Sequence, residues 1–359
     1  MDALLTVAEY EAAARDRLPT GVWDYISGGS GQESTLAANR ESFARLTLRP
    51  RFLVDVSAPD LSTELLGVRL RTPIGVAPVA YHQLAHPEGE VATARAAELL
   101  VVSVFASRTL EEIAAVASGP LWLQLYWFRD RGILRDLIRR AEAAGFRALV
   151  LTVDTPRLGR RLRDVRRGFA VPPEIVAANL DATVMAATHE AVDGASALEL
   201  HARQQFDPSV GWPDLAWLCA QTDLPVLVKG VLTGADAELA MAHGAAGVVV
   251  SNHGGRQLDG AVASVDALAE VAAAVAGRGP VLLDGGVRTG VDVLRALALG
   301  ASTVLVGRPA LWGLAVDGEA GARAVLDILA AELEDAMVLS GRPRVADVDT
   351  TLLGLDRPL

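Results

Sequence analysis

Cysteine is almost missing from this chain. One residue, Cys219, occurs among 359, which excludes an internal disulfide framework and a cysteine-rich zinc site. No apolar run reaches the roughly 18 residues that a membrane-spanning helix needs. The opening MDALLTVAEYEAAARDRL contains acids and no apolar signal core, so a soluble cytoplasmic protein is expected. Basic residues are outnumbered, 33 against 44 acidic, for a net charge of −11. That balance argues against broad nucleic-acid binding. Lysine is scarcer still: Lys229 is the single lysine among the basic residues. The survivor is expected to do something arginine cannot. No HxxxH or HExxH spacing and no carboxylate cluster suggests a metal.

What is present looks globular, with 51% hydrophobic and 21% charged residues. Length alone fits two domains or one large α/β barrel. Between residues 73 and 308 short apolar runs alternate with helical patterns. The runs are Pro73–Ala77, Val101–Phe105, Leu121–Leu125, Ala148–Val153, Val226–Lys229, Gly247–Ser251, Val281–Asp284 and Thr303–Val306. They are short, β-branched and nearly continuous, as strands buried on both faces should be. Between them lie amphipathic stretches such as Arg131–Ala144 and Thr289–Leu299. Eight strands, each followed by a helix, predict a (β/α)8 TIM barrel. One domain is expected, with an N-terminal segment over 1–72, a barrel over about 73–316, a long insertion after the fourth strand at about 165–212, and a C-terminal helix at about 317–340.

In such a barrel chemistry sits where the strands end. The ends deliver Pro78, Ala80 and His82; Ser103; Gln124 and Tyr126; Thr152 and Asp154, followed by the arginine-rich RLGRRLRD; Lys229; Ser251, followed by NHGGRQ; DGGVRTG; and Gly307–Arg308. The loops after the last two strands commonly bind phosphate. Gly285 and Gly286 allow close backbone approach, and Arg288 and Arg308 supply charge. His253 with Arg256 three residues on suits an acidic substrate, the arginine clamping a carboxylate and the histidine taking a proton. His82 could line the pocket. His86, His189, His201 and His243 have no evident partner in the sequence and read as satisfied or solvated.

Taken together these motifs resemble the family of FMN-dependent (S)-2-hydroxy acid oxidases and dehydrogenases. The resemblance begins at WDYISGGSGQESTLAANRESF (23–43) and runs through APVA (77–80), LQLY (123–126), LTVDTPRLGRR (151–161) and LPVLVKG (224–230). It closes with VVSNHGGRQLDG (249–260), LLDGGVRTGVDVLRALALGA (282–301) and VGRP (306–309). SNHGGRQLD is far more specific than any single glycine motif. The resemblance implies His253 as the base, supported by Asp154, with Arg256 and Arg161 holding the substrate carboxylate and Tyr25 and Tyr126 hydrogen-bonding substrate. It implies FMN held by Ala77, Pro78, Val79, Ala80, Ser103, Gln124, Thr152, Lys229 and Ser251 around the ring, and by Asp284, Gly285, Gly286, Arg288, Gly307 and Arg308 at the ribityl chain and phosphate. A compact ammonium at the flavin edge would stabilise charge developing there, which would explain the lone Lys229.

Within that family the whole-chain pattern is nearest the members that act on 4-hydroxymandelate. The implied reaction is oxidation of (S)-4-hydroxymandelate or mandelate to the 2-oxo acid, with O2 reduced to hydrogen peroxide. The alternatives are a dehydrogenase passing electrons elsewhere, or an oxidase of small acids such as lactate or glycolate. Tyr81, Phe105, Phe128 and the 165–212 insertion are expected to wall the space beyond C2, and Arg163 adds a second arginine on the substrate side. Phe128 is read as a variant of a tyrosine expected in close relatives. A homo-oligomer, tetrameric by resemblance, is expected, with no nucleic-acid or membrane partner.

Overall fold

The computed structural model describes residues 4–181, 185–190 and 196–354. A closed barrel of eight parallel strands forms its centre: β3 (Ile74–Val76), β4 (Leu100–Ser103), β5 (Leu121–Leu125), β6 (Ala148–Thr152), β7 (Val226–Val231), β8 (Gly247–Val250), β9 (Val281–Asp284) and β10 (Thr303–Val306). Each pairs with the next in sequence, and β10 closes on β3. Every strand lies within a residue or two of the apolar run that predicts it. Val, Leu and Ile fill both faces of these strands because helices cover the outside while the barrel encloses the inside.

The side-chain period of two explains how the barrel makes a site. Val101, Trp122, Val150, Leu227, Val249, Leu282 and Leu305 belong to one buried cluster that fills the barrel interior. Two residues further along each strand, on the same inward face, come Ser103, Gln124, Thr152, Lys229, Ser251, Asp284 and Gly307. The register sets them side by side: Ser103 is opposite Gln124, and Thr152 is opposite Lys229. So each strand ends its apolar interior with one polar or small residue at the mouth. The alternate residues, among them Leu123, Leu149, Leu151, Val228, Val250 and Leu283, pack outward into the main core.

The other end of the barrel is closed by a hairpin that the apolar pattern does not reveal, β1 (Thr63–Leu65) and β2 (Val68–Leu70). Leu65 and Leu70 from it join the interior cluster. Its two-residue turn puts Leu66 at φ 50° and Gly67 at φ 76°. A leucine at a position that favours Asn or Gly hides the turn signal.

Helices start where their caps say. Asp130 accepts a hydrogen bond from Gly132 N at the head of helix Arg131–Ala143, which buries Leu134, Leu137, Ile138 and Ala141. Thr289 and Asp292 form a capping box for helix Gly290–Ala298. The helical run Arg308–Leu339 is broken at Asp317 and Gly318 into two helices, the first following β10 directly and the second lying where the C-terminal helix is expected. The insertion carries helices Leu162–Arg167 and Ala197–Gln205; positions 182–184 and 191–195 of it lie outside the described residues.

The N-terminal segment is part of the site's frame. Ser30 N donates to Gly255 O at 2.9 Å, and Gly31 N to Arg160 O at 3.0 Å. Asp259 accepts from Gln32 N, Ser34 Oγ and Thr35 N, capping helix Ser34–Arg45 in place of Glu33, whose side chain does not cap it. Deeper in, Asn39 and Asn252 exchange two amide hydrogen bonds of 2.8 and 2.7 Å. Both are buried. Replacing Asn39 by Ala removes both of these bonds and leaves the buried Ser264 N–H without its acceptor, while the Asn252 side chain keeps only Val262 O and Gly255 N, so a loss of about 1–3 kcal/mol in urea unfolding is expected. An unchanged midpoint would show that this pair does not hold the segment down.

Candidate active site

A cavity opens at the strand ends and takes in roughly 1150 Å³ of non-protein space including its mouth. Its wall includes Ala77, Pro78, Val79, Ala80, Ser103, Lys229, Asp284, Gly285, Gly286, Arg288, Gly307 and Arg308, and also Tyr25, Tyr126, Arg161, His253 and Arg256. The chain thus brings the residues proposed for cofactor and for substrate to one space. Gln124, Thr152 and Ser251 stand buried directly behind it.

His253 lies on the loop after β8, within three consecutive left-handed residues: His253 at φ 59°, Gly254 at 62° and Gly255 at 75°. Two glycines take this conformation freely, while His253 is held there at a cost of about 1–3 kcal/mol. Gly255 leaves no room for a side chain, since a Cβ would sit 2.6 Å from Leu36 N. The imidazole Nδ1 is 2.9 Å from Asp154 Oδ1. Gly230 lets that carboxylate approach, because a Cβ there would meet Asp154 Cβ at 2.7 Å. Gln257 Nε2 donates to Asp154 O and Arg157 O at 2.7 and 3.0 Å, pinning the loop after β6 to the loop after β8.

The electrostatics of this pair suit a base. Burial pushes the His253 pKa down, more than Asp154 raises it, so the ring stays neutral and able to accept a proton. Burial pushes Asp154 the other way, but His253 and Lys229 outweigh it and hold the carboxyl below its usual range. Tyr126 is raised by burial and by Asp154, so its hydroxyl remains a donor.

Positive charge surrounds the cavity. Arg256 Nη1 donates to Tyr25 O and Gly28 O at 2.6 and 2.9 Å, and its guanidinium lies 5.1 Å from the Tyr25 ring centre. Arg308 donates to Ile26 O, Gly254 O and Gly28 O. Arg288 donates to Val287 O and lies 4.7 Å over Trp312, with Nε unpartnered. Arg161 Nε is likewise buried and unpartnered. Burial lowers Arg256 and Arg288 to about 10 and holds Arg308 well below its ordinary value. They hold their charge at neutral pH among backbone carbonyls, an arrangement that calls for an anionic ligand.

These features fit FMN. Arg288 and Arg308 flank Gly286 and Gly307 where a terminal phosphate would be held. A Cβ on Gly286 would stand 2.1 Å from Asn39 O, so its backbone is exposed only by being glycine. Gln124 Nε2 and Thr152 Oγ1 are buried with no partner, as groups that bond a polar ring edge would be. Lys229 Nζ is 2.9 Å from Ser251 Oγ and 3.0 Å from Asp284 Oδ2. Ser251 Oγ in turn donates to Asp284 Oδ1 at 2.5 Å and accepts from His253 N at 3.0 Å. An ammonium has three donors, so one remains for the cavity that Lys229 lines.

Three expected residues stand elsewhere. Phe128 is fully buried and does not line the cavity; it packs edge-on behind Phe105 and Phe206 at ring distances of 6.5 and 5.6 Å. The aromatic residue facing the cavity from that strand end is Tyr126. Arg163 points to Asp24 and Glu33, with Nη2 2.5 Å from Glu33 Oε2, and does not line the cavity that Arg161 and Arg256 reach. His82 is buried structurally, its Nδ1 2.9 Å from Thr93 Oγ1 and its N–H donating to Glu90.

The sequence reading places the 165–212 insertion in the wall without naming its residues; Leu198, His201, Ala202 and Phe206 from it line the cavity, joined by Leu158, which the reading missed. Leu198, His201 and Ala202 form the inner face of helix Ala197–Gln205, and a 3–4 spacing was there to be read. Phe206 stacks on Tyr126 at 4.6 Å because the segment after helix Ala197–Gln205 is tied to the loop after β5: Arg129 N donates to Gln205 O, Asp207 N to Trp127 O, and Arg131 pairs with Asp207 at 2.7 Å. Asp164 was also missed; its carboxyl is buried without a hydrogen bond, its pKa pushed up by burial against the pull of Arg256 and Arg161.

Residues 14–355 match the model of the FMN-dependent dehydrogenase family. The chain is 50% identical over 341 residues to a 4-hydroxymandelate oxidase from Amycolatopsis orientalis, covering 94% of each. It is 48% identical to a glycolate oxidase from Oryza sativa subsp. indica, covering 97% of this chain and 95% of that one. It is also 48% identical to an L-lactate oxidase from a Nostoc species, covering 98% of each. A crystal structure of mandelate oxidase with (S)-4-hydroxymandelic acid superposes with a TM-score of 0.93 at 49% identity, over 96% of this chain and 97% of that chain. The chain belongs to the FMN-dependent dehydrogenase family, and FMN is its cofactor.

The neutral His253 gives a signed expectation. Reduction of bound flavin by substrate should hold its rate at neutral pH and fall as pH drops through the His253 pKa, below the ordinary ~6.5. The variant His253→Gln should retain flavin and lose ~10²–10⁴-fold in that rate. Stopped-flow bleaching under anaerobic conditions checks both; a His253→Gln protein reduced at the normal rate would remove His253 from the chemistry.

Proposed function

We propose that this protein oxidises an (S)-2-hydroxy acid carrying an aromatic ring at C2, mandelate or 4-hydroxymandelate, to the 2-oxo acid. The observation that carries this reading is the wall opposite the arginines. Tyr81, Phe105, Tyr126, Leu158, Leu198 and Phe206 line the cavity there. Phe105 sits among Tyr81, Tyr126 and Phe206 at ring distances of 6.2, 5.7 and 6.2 Å. A phenyl ring would be enclosed by such a wall, whereas glycolate would leave it without contacts. The 4-hydroxymandelate and mandelate oxidases among its relatives support the reading.

The residues divide the work. Arg161 and Arg256 bind the carboxylate from two sides, which fixes C2 and directs its substituent towards the aromatic wall. Tyr25 and Tyr126 remain protonated, raised chiefly by burial, and donate to substrate oxygens. The neutral imidazole of His253 takes the C2 hydroxyl proton. Asp154 is ionised and 2.9 Å from Nδ1, so it stabilises the imidazolium that results and keeps the ring aimed. FMN, held by the residues named above, would supply the acceptor for the two electrons and the hydrogen that leave C2. The Lys229 ammonium stands where negative charge would develop in that transfer. O2 would be the final acceptor, taking the two electrons with the hydrogen from C2 and the proton held by His253 to give hydrogen peroxide, a reading supported by the alanine at position 80 through its resemblance to oxidases. The resemblance further supports a cytoplasmic homo-oligomer. Among the described residues no helix is long and apolar enough to cross a membrane, and no group of side chains could hold a metal ion.

A ring that buries roughly 100 Å² at ~25 cal/mol/Å² contributes about 2–3 kcal/mol. The expected preference for (S)-mandelate and (S)-4-hydroxymandelate over lactate and glycolate is therefore at least ~30-fold in kcat/KM. All four acids in one peroxide-release assay decide it. Parity of glycolate or lactate with the mandelates would overturn the aromatic pocket and favour a small-acid oxidase.

A further inference from the structure

His201 is an oddity on the inner face of helix Ala197–Gln205. Its neighbours on that face are Ala197, Leu198 and Ala202, and an apolar residue would serve packing better. The side chain is 1% exposed. Neither Nδ1 nor Nε2 has a hydrogen-bond partner. Among the described residues no charged group shifts it: burial lowers its pKa to about 4. The ring is therefore neutral at any ordinary working pH, with one N–H donor and one acceptor nitrogen. It lines the same cavity as His253 and stands edge-on to Phe105 at 6.1 Å. A buried polar group left unsatisfied is destabilising, so such groups mark the place of an absent partner.

The substrate's geometry places that partner. Arg161 and Arg256 anchor one end and His253 meets the C2 hydroxyl, so the part of an aryl acid that reaches Phe105 is the ring. We propose that the His201 imidazole is the hydrogen-bond partner of a hydroxyl group carried by the substrate's aromatic ring, and so sets the preference for 4-hydroxymandelate over mandelate. This rests on the aryl-acid reading of the pocket. A phenol donates to the acceptor nitrogen of the neutral ring; an unsubstituted ring leaves His201 as unsatisfied as before. Tyr81, whose ring stacks on the same Phe105 at 6.2 Å, is buried there with its hydroxyl and completes a polar end to an otherwise apolar wall.

The test compares the wild-type holoenzyme with His201→Phe and His201→Gln. For each, kcat/KM is measured with (S)-mandelate and (S)-4-hydroxymandelate, and the wild type is also given glycolate and lactate. The wild type should favour the hydroxylated acid by ~10-fold or more, a hydrogen bond's contribution. His201→Phe should bring that ratio near one, and His201→Gln, which keeps an acceptor and a donor, should restore part of it. His201→Phe should also melt no lower than wild type, since it removes an unsatisfied polar group. A ratio that stays put in His201→Phe, including one in which both rates fall together, overturns the proposal, as does a wild type indifferent to the ring hydroxyl. If the wild type favours both mandelates over the small acids while the ratio ignores His201, this inference alone fails. If glycolate or lactate matches the mandelates, the aryl-acid reading fails and takes this one with it.

Discussion

The structure turns on positive charge buried around one cavity, where among the described residues no carboxylate forms a direct ion pair with the arginines. Arg161, Arg256, Arg288 and Arg308 reach that space, and the hydrogens of the last three go to backbone carbonyls. Burying unpaired cations is unfavourable unless something anionic completes them. On the proposed reading two anions would do so: the phosphate of FMN at Arg288 and Arg308, and the substrate carboxylate at Arg161 and Arg256. The N-terminal segment is recruited to the same end. Carbonyls of Tyr25, Ile26 and Gly28 orient two of the guanidiniums, with Gly28 O accepting from both Arg256 and Arg308. Asn39 and Asp259 hold that segment against the loop after β8. The cation that does have a partner, Lys229, is paired with Asp284 through a short network that includes Ser251. Pairing keeps it charged and placed, where a freer guanidinium would bring a planar fork into a space for a point contact.

Much of this was legible because the barrel imposes a period. Apolar interior residues on each strand are followed two positions later by the residue that faces the mouth, so Val150 leads to Thr152, Leu227 to Lys229 and Leu282 to Asp284. Continuous apolar runs gave the strands to within a residue or two, and the polar residue closing each run marked the site. His253, Arg256 and Asp154 were readable from motif and resemblance alike. Their contact at 2.9 Å across 99 residues was not readable from spacing; it depends on Gly230 leaving room and Gln257 joining the two loops.

The remainder was illegible for physical reasons. The β1–β2 hairpin turns on a leucine with positive φ, which no turn propensity anticipates. Phe128 and Phe206 illustrate the limit for wall residues. Both are aromatic, and both lie near the fourth-strand insertion or the strand before it, yet one faces the cavity and the other packs behind it. Hydrogen bonds between residues 127–129 and 205–207 decide which, and they join segments far apart in sequence. Arg163 looked like a second clamp until Asp24 and Glu33, from the N-terminal segment, came within reach. His201 read as an ordinary histidine because a sequence does not display an unmet hydrogen bond.

The central claim is that uncompensated buried arginines hold the cofactor by its phosphate, and it has a direct measurement. Apoprotein prepared by removing the flavin is titrated with FMN and with riboflavin, following quenching of flavin fluorescence. The two ligands share the ring and ribityl chain and differ in the group that Arg288 and Arg308 would meet. Charge-assisted hydrogen bonds contribute about 1.5–3 kcal/mol each, so FMN should bind at least ~100-fold more tightly than riboflavin, and raising salt should narrow the gap only modestly at a buried site. Equal affinities for the two would contradict the account, because the phosphate would then contribute nothing where the structure concentrates its unpaired charge.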